Sequence, residues 1–360
     1  MIDLTDRKHI FYWQTDRKLS PQDYERIFLR RHDISKDMLA NILTRGITGL
    51  GAIHTLTFIP PDESILKGNV NIVRKVIING TTYVVRMHPP GVKNGYFFVE
   101  QQALLRAAAT GVPVPNVLEI HEAHGENDMD FMLLSASPGV TMDVSLGRDK
   151  TKEDTLLIKC GKLMADIHAI HVEGYGAFDN GIAKQKHRLV GLHKTYNAFI
   201  HAGLDENLKR LVTYDIMTPA QADSIAGVFA AHAYEPHDGP RLIHNDFADW
   251  NLLTNGEAIT AVLDWDECHA GDPVADLACW STFFGTDRMN KLLEGYTSVA
   301  TLPDDYTGRF HFYRLRYTIS KMALRIKRYQ VDKSDFILKK LEIGKQALLD
   351  EMRWLRETVS

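Results

Sequence analysis

The spacing of hydrophobic residues changes from helical to alternating in the first quarter of the chain and later returns to helical spacing. Ser20 and Ser35 each precede a short helical pattern, which predicts an N-terminal helical extension with these serines as caps. The alternating stretch predicts three consecutive strands, at residues 64–67, 71–78 and 81–87. Asn79-Gly80 separates the last two strands, and this dipeptide accepts the backbone angles of a tight hairpin turn.

The rest of the chain is mostly helical in pattern. Residues 97–106 have helical periodicity, and the apolar strand 131–135 runs into Ser, Pro and Gly, as at a connection between lobes. Thr151 is predicted to cap a long helix in the middle of the chain. From Arg309 to Lys345 basic residues lie mostly opposite an apolar stripe, which favours a solvated helix face.

Composition and charge exclude several classes of protein. A chain of 360 residues with 44% hydrophobic and 24% charged residues is long enough for two lobes with substantial cores. The formal net charge of −4 gives no electrostatic reason to expect a nucleic-acid partner. Three cysteines without metal-ligand spacing favour a reducing compartment, and no apolar run has membrane-spanning length. We therefore expect a cytoplasmic protein with no membrane partner.

The candidate chemistry is concentrated in one short segment. Asn251 follows Asp246 by five residues, and Asp264 closes a short apolar strand. Asn255-Gly256 lies between two predicted strands, so a hairpin would return Asp264 to the side of Asn251. One carboxylate can then accept the proton of a hydroxyl, while an amide and a second carboxylate hold magnesium. These groups form a minimal set for phosphoryl transfer.

Two other interpretations of this segment are open. Asp246 and Asn251 also suit an ordinary turn and a helix cap. A metallohydrolase built on His244, Asp246, Asp264 and His269 would need clustered metal ligands and would leave Asn251 without a role. His244 follows an apolar run, so it is predicted to pack and hold the loop by hydrogen bonds rather than to shuttle protons.

The segments HNDFADWNLL, VLDWDE and GDPVADLA resemble the aminoglycoside phosphotransferase family, whose members share a bilobal fold with protein kinases. The resemblance covers roughly residues 62–285. It implies an α+β, protein-kinase-like fold with a small antiparallel-sheet N-lobe and a mostly helical C-lobe. We expect an N-terminal helical extension over 1–60, the nucleotide-binding N-lobe over 61–135 and the catalytic C-lobe over 136–360.

The resemblance implies a role for each residue of the motif. Asp246 would be the catalytic base, Asn251 and Asp264 would bind Mg²⁺, and Asp276 would brace the catalytic loop from the next helix. The γ-phosphoryl group of ATP or GTP would move to a hydroxyl of a small molecule, such as an aminoglycoside antibiotic. Alternatives are a kinase of a metabolic hydroxyl compound and a nucleotide-binding protein without catalysis. The presence of Asp246 argues against the last.

The nucleotide would be bound mainly by the N-lobe. Arg86 stands where protein kinases carry a lysine that contacts the α and β phosphates, and a guanidinium also suits phosphate oxygens. Glu100 matches the acid that pairs with this cation. The backbone groups of Leu133, Leu134 and Ser135 are expected to be free to meet the edge of an adenine.

The phosphate-covering loop is expected between the first two predicted strands, at Gly68, Asn69 and Asn71. The segment 46–51 contains more glycines and is a rival. We prefer Gly68 because the strand that ends in Arg86 follows after a single hairpin, as the kinase order requires. Residues 46–51 are then a helix stop and a loop.

The charge of the acceptor depends on which side chains line its pocket. A polycationic acceptor needs a surplus of carboxylates. Four acids lie near the catalytic segments in the sequence, namely Asp179, Asp249, Asp266 and Glu267. An inward Arg314 or Arg316 would instead favour a neutral or anionic acceptor. Because the apolar stripe occupies the inward face of the last helices, the sequence favours the cationic case.

Overall fold

The computed structural model describes residues 35–59, 71–88, 96–124, 128–146, 149–232, 234–331, 333 and 335–359. Within these residues, a five-stranded antiparallel sheet and two helices form a small lobe, and helices with two smaller sheets form a large lobe. The predicted α+β, bilobal architecture is confirmed. The cap at Ser20 and the strand predicted at 64–67 lie outside the described residues.

The small lobe consists of α1 (Lys36–Gly46), β1 (Leu56–Phe58), β2 (Ile72–Ile78), β3 (Thr81–Met87), α2 (Phe97–Ala109), β4 (Val117–His121) and β5 (Phe131–Ser135). Its sheet has the order β1-β2-β3-β5-β4, with all neighbours antiparallel. The predicted hairpin turn between β2 and β3 is confirmed, with φ of 49° at Asn79 and 83° at Gly80.

Helix α1 covers one face of this sheet. Ser35 caps it, as predicted, by accepting a hydrogen bond from the Met38 N–H over 3.1 Å. The buried side chains of Leu39, Ile42 and Leu43 repeat at helical spacing and join the core of β2, β3 and β5. Because β1 pairs with β2, the sheet begins before residue 61, where the sequence had suggested that the lobe starts.

The large lobe begins with β6 (Val140–Thr141), α3 (Met142–Ser145), α4 (Lys150–His168), β7 (Tyr175–Phe178), α5 (Asn180–Lys186), β8 (Gly191–His193), α6 (Tyr196–Ile200), α7 (Leu204–Thr213) and α8 (Pro219–Ala231). It continues with β9 (Arg241–Ile243), β10 (Leu252–Thr254), β11 (Ile259–Val262), β12 (His269–Gly271), α9 (Pro273–Ser281), α10 (Thr286–Thr297), α11 (Tyr306–Val331) and α12 (Asp335–Val359). No helix in the described part of the chain is long and apolar enough to cross a membrane.

The strands of the large lobe form two sheets, in the orders β11-β10-β6 and β8-β7-β12-β9. The predicted hairpin between β10 and β11 is present, but its turn is longer than a tight one: residues 255–258 connect the strands, and only Gly256 has a positive φ. The cap of α4 also differs from the prediction. Asp149, and not Thr151, accepts a hydrogen bond from the Lys152 N–H, over 3.1 Å.

Helices α4 and α10 approach each other closely at two glycines. A Cβ atom added to Gly295 would lie 1.9 Å from the carbonyl oxygen of Ile158, and one added to Gly161 would lie 1.9 Å from that of Leu292. Both obstructing atoms belong to backbone, so a side chain cannot rotate away to relieve the clash. The crossing of α4 and α10 therefore requires glycine on each helix.

We predict that Gly295→Ala lowers the melting temperature because the new methyl group forces α10 away from α4. Overpacking of this kind typically costs about 1–3 kcal/mol, which corresponds to roughly 2–4 °C per kcal/mol in a large domain. Gly227→Ala in α8 is the matched control, since a Cβ atom there meets nothing within 4 Å. That control should be neutral or stabilising, and equal melting temperatures for the two variants would contradict the close crossing.

Candidate active site

Strand β9 delivers the catalytic loop to the centre of the large lobe. Its last residues are buried, and the chain then turns at Asn245, whose φ is +69°. This left-handed conformation suits asparagine better than most residues, which explains why Asn245 stands where protein kinases have arginine. The turn presents the partly buried carboxylate of Asp246.

The Asn251 side chain is bound directly to Asp246. Its Nδ2 donates to the backbone oxygen of Asp246 over 2.9 Å and to Asp246 Oδ2 over 2.8 Å. The amide nitrogen is therefore fully occupied by the loop, which leaves the Asn251 amide oxygen as the atom available to a cation. The predicted proximity of Asp246 and Asn251 is present in the structure.

The buried carboxylate of Asp276 holds the catalytic loop from α9. It accepts hydrogen bonds from the His244 N–H over 2.9 Å and the Asn245 N–H over 3.0 Å, and its third partner is His168 Nε2 at 3.2 Å. Burial opposes ionisation, but the hydrogen bond and charge of His168 and the loop N–H groups hold the pKa of Asp276 below its usual value. Asp276 is thus the brace that was expected.

His244 links the catalytic loop to the strand that precedes Asp264. Its Nε2 lies 3.0 Å from the carbonyl oxygen of Leu263, and its Nδ1 accepts from the Asp246 N–H over 3.3 Å. Burial lowers the pKa of His244 and favours the neutral ring, and the ring also packs against Trp265. The prediction of a packed histidine that holds the loop is confirmed.

The hairpin brings Asp264 to the side of Asn251, as the sequence predicted. The Leu263 N–H donates to the backbone oxygen of Asn251 over 2.8 Å, which fixes the register of the two segments. Asp264 has a φ of +61°, and its side chain remains 41% exposed. The carboxylate is therefore open to a ligand while its backbone is held in place.

Arg86 joins the two lobes through three carboxylates. It forms an ion pair with Glu100 of α2, and its Nη2 lies 2.7 Å from Asp264 Oδ1 and 3.7 Å from Asp266 Oδ2. Burial opposes the charge, but the three carboxylates raise the pKa of Arg86 above its usual value. The expected pairing of Arg86 with Glu100 is present.

Asn71 has a different position from the one expected of a phosphate-binding residue. It is buried, its Nδ2 donates to Asp266 Oδ2 over 3.3 Å, and its Oδ1 lies 3.1 Å from His88 Nδ1. Both ends of the amide are therefore engaged inside the protein, and the assignment of Asn71 to the nucleotide stays a prediction. Gly68 and Asn69 lie outside the described residues.

The backbone of Leu133 and Leu134, which was expected to be free, is engaged in the sheet, whereas Ser135 is engaged through its N–H. β5 lies between β3 and β4, so Leu133 and Leu134 are paired on both sides. The Ser135 N–H donates to the Asn116 carbonyl over 2.9 Å. Ala136 is the first residue after this strand. Sequence composition could not separate a central strand from the connection that follows it.

Negative charge is concentrated around Asp246. Burial, together with the negative charges of Glu267 and Asp264, raises the pKa of Asp246 well above its usual value. Glu267 also accepts a hydrogen bond from Asn245 Nδ2 over 3.2 Å. A divalent cation near Asn251 and Asp264 would offset this repulsion, so these residues fit a metal ion.

The metallohydrolase alternative does not fit this geometry. Both of its histidines have other partners, since His244 bonds the Leu263 carbonyl and His269 Nδ1 lies 3.3 Å from the backbone oxygen of Glu267. Among the residues that the structure describes, no group of three or more His, Cys, Asp and Glu side chains could hold a metal by itself.

Most of the acids proposed for a cationic acceptor have structural partners. Asp179 caps α5 by accepting from the Ile182 N–H, Asp249 pairs with Arg288 at 2.6 Å, and Asp266 faces Arg86. Of the four, Glu267 has the clearest position beside Asp246. The expected surplus of free carboxylates is therefore absent from this set.

The last helices also differ from the expected solvated basic face. Arg316 is buried and donates from Nε and Nη2 to the carbonyl oxygens of Ile200 and Ala202, both over 2.7 Å. Arg314 pairs with Glu351 at 2.7 Å. Lys321, which sequence reasoning grouped with the solvated residues, points towards the catalytic loop. Helical periodicity indicates on which face of the helix Lys321 lies, but it does not indicate which residues of other elements lie next to that face.

The fold and the arrangement of the loop are those of a kinase-like protein. The family model described as the phosphotransferase enzyme family matches residues 63–312, well over half of the chain. The chain therefore belongs to the phosphotransferase enzyme family.

Two curated relatives illustrate how far this similarity extends. Hygromycin-B 4-O-kinase from Escherichia coli is 26% identical over 212 residues, which are 56% of this chain and 57% of that protein. Acyl-CoA dehydrogenase family member 10 from Mus musculus is 25% identical over 257 residues, 68% of this chain but 22% of that protein. The chain thus spans little more than half the length of the first relative and far less of the second.

Solved structures share the fold at low sequence identity. The crystal structure of the aminoglycoside phosphotransferase APH(4)-Ia has a TM-score of 0.62 and 19% identity, covering 87% of this chain and 99% of that one. A putative fructosamine-3-kinase from Thermobifida fusca has a TM-score of 0.55 and 19% identity, covering 86% and 98%. These likenesses support the fold alone.

We predict that Asp276→Ala lowers the melting temperature with or without ligand. The substitution leaves His168 and two N–H groups of the loop without their hydrogen-bond partner. Removing one partner of a buried ionic network costs on the order of 3 kcal/mol, or at least about 5 °C. Since the folded-state pKa of Asp276 is lowered, this stabilisation is complete at pH 7 and is lost only as pH falls through that pKa.

The control for this variant is Asp238→Ala, because the side chain of Asp238 is 82% exposed. It should change the melting temperature little, as surface substitutions usually do. A melting temperature of Asp276→Ala equal to that of Asp238→Ala at pH 7 would show that Asp276 does not brace the loop.

Proposed function

We propose that the protein is a phosphotransferase that moves the γ-phosphoryl group of ATP or GTP to a hydroxyl of a small molecule. One observation carries the proposal: Asn251 is hydrogen-bonded to the Asp246 carboxylate at 2.8 Å, and its backbone also anchors the residue before Asp264 at 2.8 Å. These contacts support a site in which a base, an amide oxygen and an open carboxylate are neighbours. That set is what in-line phosphoryl transfer needs.

Asp246 is the proposed base. Its carboxylate orients the acceptor hydroxyl and accepts its proton as the oxygen attacks the γ-phosphorus. The bond from the γ-phosphorus to the bridging oxygen breaks, and ADP or GDP leaves with that oxygen. Asn251 holds Asp246 in one rotamer through Nδ2, so the base does not need to be ordered when the acceptor binds. His244 stays neutral and bound to Leu263, and takes no part in the proton transfer.

Asn251 and Asp264 are the proposed magnesium ligands. The ion, when bound, neutralises charge on the nucleotide phosphates. The available amide oxygen of Asn251, the 41% exposed side chain of Asp264 and the crowding of carboxylates around Asp246 support this assignment. Two protein oxygens with further ligands from phosphate and water are typical of magnesium sites.

Arg86, oriented by Glu100, is the proposed contact of the α and β phosphates. Gly68 and Asn69 are proposed to cover the phosphates. The adenine edge is proposed to meet the backbone that begins at Ala136, directly after β5, since the earlier groups are paired in the sheet.

The remaining assignments are proposals of the same kind. We propose an N-lobe that ends at Ser135, a C-lobe from Ala136 onward and a helical segment before the first sheet, in a cytoplasmic enzyme without membrane or nucleic-acid partners. The Escherichia coli relative is named for hygromycin B. An aminoglycoside and a metabolic hydroxyl compound are therefore the two acceptor classes to test, and the former would make the protein an antibiotic-resistance enzyme.

We predict that Asp246→Asn lowers nucleotide turnover in the presence of acceptor by about a hundredfold or more, because the amide cannot accept a proton. Magnesium-dependent thermal stabilisation by ATP should be nearly unchanged, since the metal ligands are intact. The matched variant Asp264→Ala should lose that stabilisation.

Turnover and thermal stabilisation together separate the two roles. Asp223→Ala, an exposed position on α8, is the control and should behave as the unmodified protein in both measurements. Full turnover in Asp246→Asn would remove Asp246 from the mechanism, and an unchanged magnesium response in Asp264→Ala would remove Asp264 from the metal site.

A further inference from the structure

Lys321 of α11 is a cation without an ion-pair partner among the residues that the structure describes. Its Nζ donates to Thr282 Oγ1 over 2.6 Å and lies 3.3 Å from the centroid of the Phe283 ring. Four other cations near the site or the large-lobe core each pair with a carboxylate, namely Arg86, Arg288, Arg309 and Arg314. Buried Arg316 has no such carboxylate but donates to the carbonyl oxygens of Ile200 and Ala202 and to Ser320. The hydroxyl and the aromatic face stabilise the ammonium group of Lys321, but neither carries a negative charge that would neutralise it.

A chain of contacts connects Lys321 to the proposed base. The Phe283 ring meets the Trp250 ring edge to face, with 5.2 Å between centroids. Trp250 Nε1 in turn lies 3.5 Å from Asp246 Oδ2. The cation therefore contacts one ring of an aromatic pair, and the base contacts the other. A molecule whose hydroxyl reaches Asp246 would have this pair and Lys321 beside it.

Trp250 is itself unusual for a residue next to a buried loop, because 44% of its surface is exposed. Covering a large exposed aromatic ring with a flat or apolar group removes apolar surface from water, which favours binding. Phe283 and Phe284 extend the same surface, since all three rings are in mutual contact. We call Trp250, Phe283 and Phe284 the aromatic shelf.

Because Lys321 is partly buried, the kind of group that could pair with it indicates the chemistry of a ligand. Removing an ammonium group from water is costly unless an anion or several acceptors replace the lost hydration. Burial accordingly lowers the pKa of Lys321, while nearby groups including Asp246 and Glu267 act in the opposite direction. Neither acid reaches ion-pair distance. A ligand anion would supply the contact that the protein does not.

The acids of the site do not provide a competing cation-binding surface. Asp179, Asp249 and Asp266 are engaged by a helix N-terminus, Arg288 and Arg86 respectively. Glu267 accepts a hydrogen bond from Asn245 and lies close to the negative Asp246. A polycationic acceptor would thus meet one half-buried acid and the positive charge of Lys321.

We propose that Lys321 and the aromatic shelf form the acceptor subsite, and that the acceptor carries an anionic group, a carboxylate or a phosphate ester, which binds Lys321. The proposal rests on the proposed function and narrows its acceptor class. Lys321 determines specificity by charge and leaves the proton transfer to Asp246. On this account a polycationic aminoglycoside is a poor acceptor.

The test uses three flat benzyl alcohols of similar size, whose para substituents differ in charge. They are 4-(hydroxymethyl)benzoate, 4-(hydroxymethyl)benzamide and 4-(aminomethyl)benzyl alcohol, which are anionic, neutral and cationic at pH 7. Binding is measured by titration with the Mg²⁺ complex of a non-hydrolysable ATP analogue present, and phosphoryl transfer is measured with ATP. The full chain is compared with Lys321→Gln, Lys321→Glu and the exposed-lysine control Lys339→Gln.

The unmodified protein and Lys339→Gln should bind the anion at least about tenfold more tightly than the neutral amide, in line with a desolvated charge-assisted contact. Lys321→Gln should abolish this preference and Lys321→Glu should reverse it towards the cation. A reversal of charge order is a readout that general destabilisation of α11 would not produce. All variants should retain thermal stabilisation by magnesium and ATP.

The outcomes separate the subsite from the activity. Four results would each overturn the proposed subsite. They are equal binding of the three alcohols, preference for the cation in the unmodified protein, no binding at all, and a preference for the anion that survives Lys321→Gln. If the anion binds with the predicted dependence on Lys321 but no alcohol is phosphorylated, the subsite stands and the proposed phosphotransfer fails. Phosphorylation of all three alcohols without charge preference would support the activity and overturn the subsite.

Discussion

The active site depends on one buried carboxylate that holds an unfavourable turn. Asn245 adopts a left-handed backbone conformation, and Asp276 binds its N–H and that of His244 at 3.0 and 2.9 Å. The direction in which Asp246 leaves β9 follows from this turn, and Asn251 is in turn fixed by its bonds to Asp246. A single helix residue thus positions the proposed base and the proposed metal ligand together.

A second constraint aligns the two lobes. Arg86 belongs to the small lobe, yet two of its three carboxylates belong to the large one. Because the guanidinium is always charged and nearly buried, it needs anionic partners close to it. The same ion pairs therefore orient α2, the strand cation and Asp264, so the proposed phosphate contact and the alignment of the lobes depend on the same group.

The sequence predicted what local patterns encode. Asp246, Asn251 and Asp264 were found because fixed spacing and a hairpin determine their proximity, and Arg86 and Glu100 because element order does. Local patterns did not indicate tertiary neighbours: the Asn71 side chain is enclosed by His88 and Asp266, and Leu133 and Leu134 lie in a central strand. Lys321 was missed for the same reason, since helical periodicity does not reveal which element α11 meets.

The most direct test of the central claim follows the fate of the γ-phosphoryl group. The protein would be incubated with magnesium and ATP labelled at the γ-phosphate, with hydroxylated small molecules of negative, neutral and positive charge, and the labelled products would be identified. Our account predicts an acid-stable phosphate monoester on a hydroxyl, formed only when the acceptor is present. Release of the label solely as inorganic phosphate, at a rate independent of every acceptor, would contradict it.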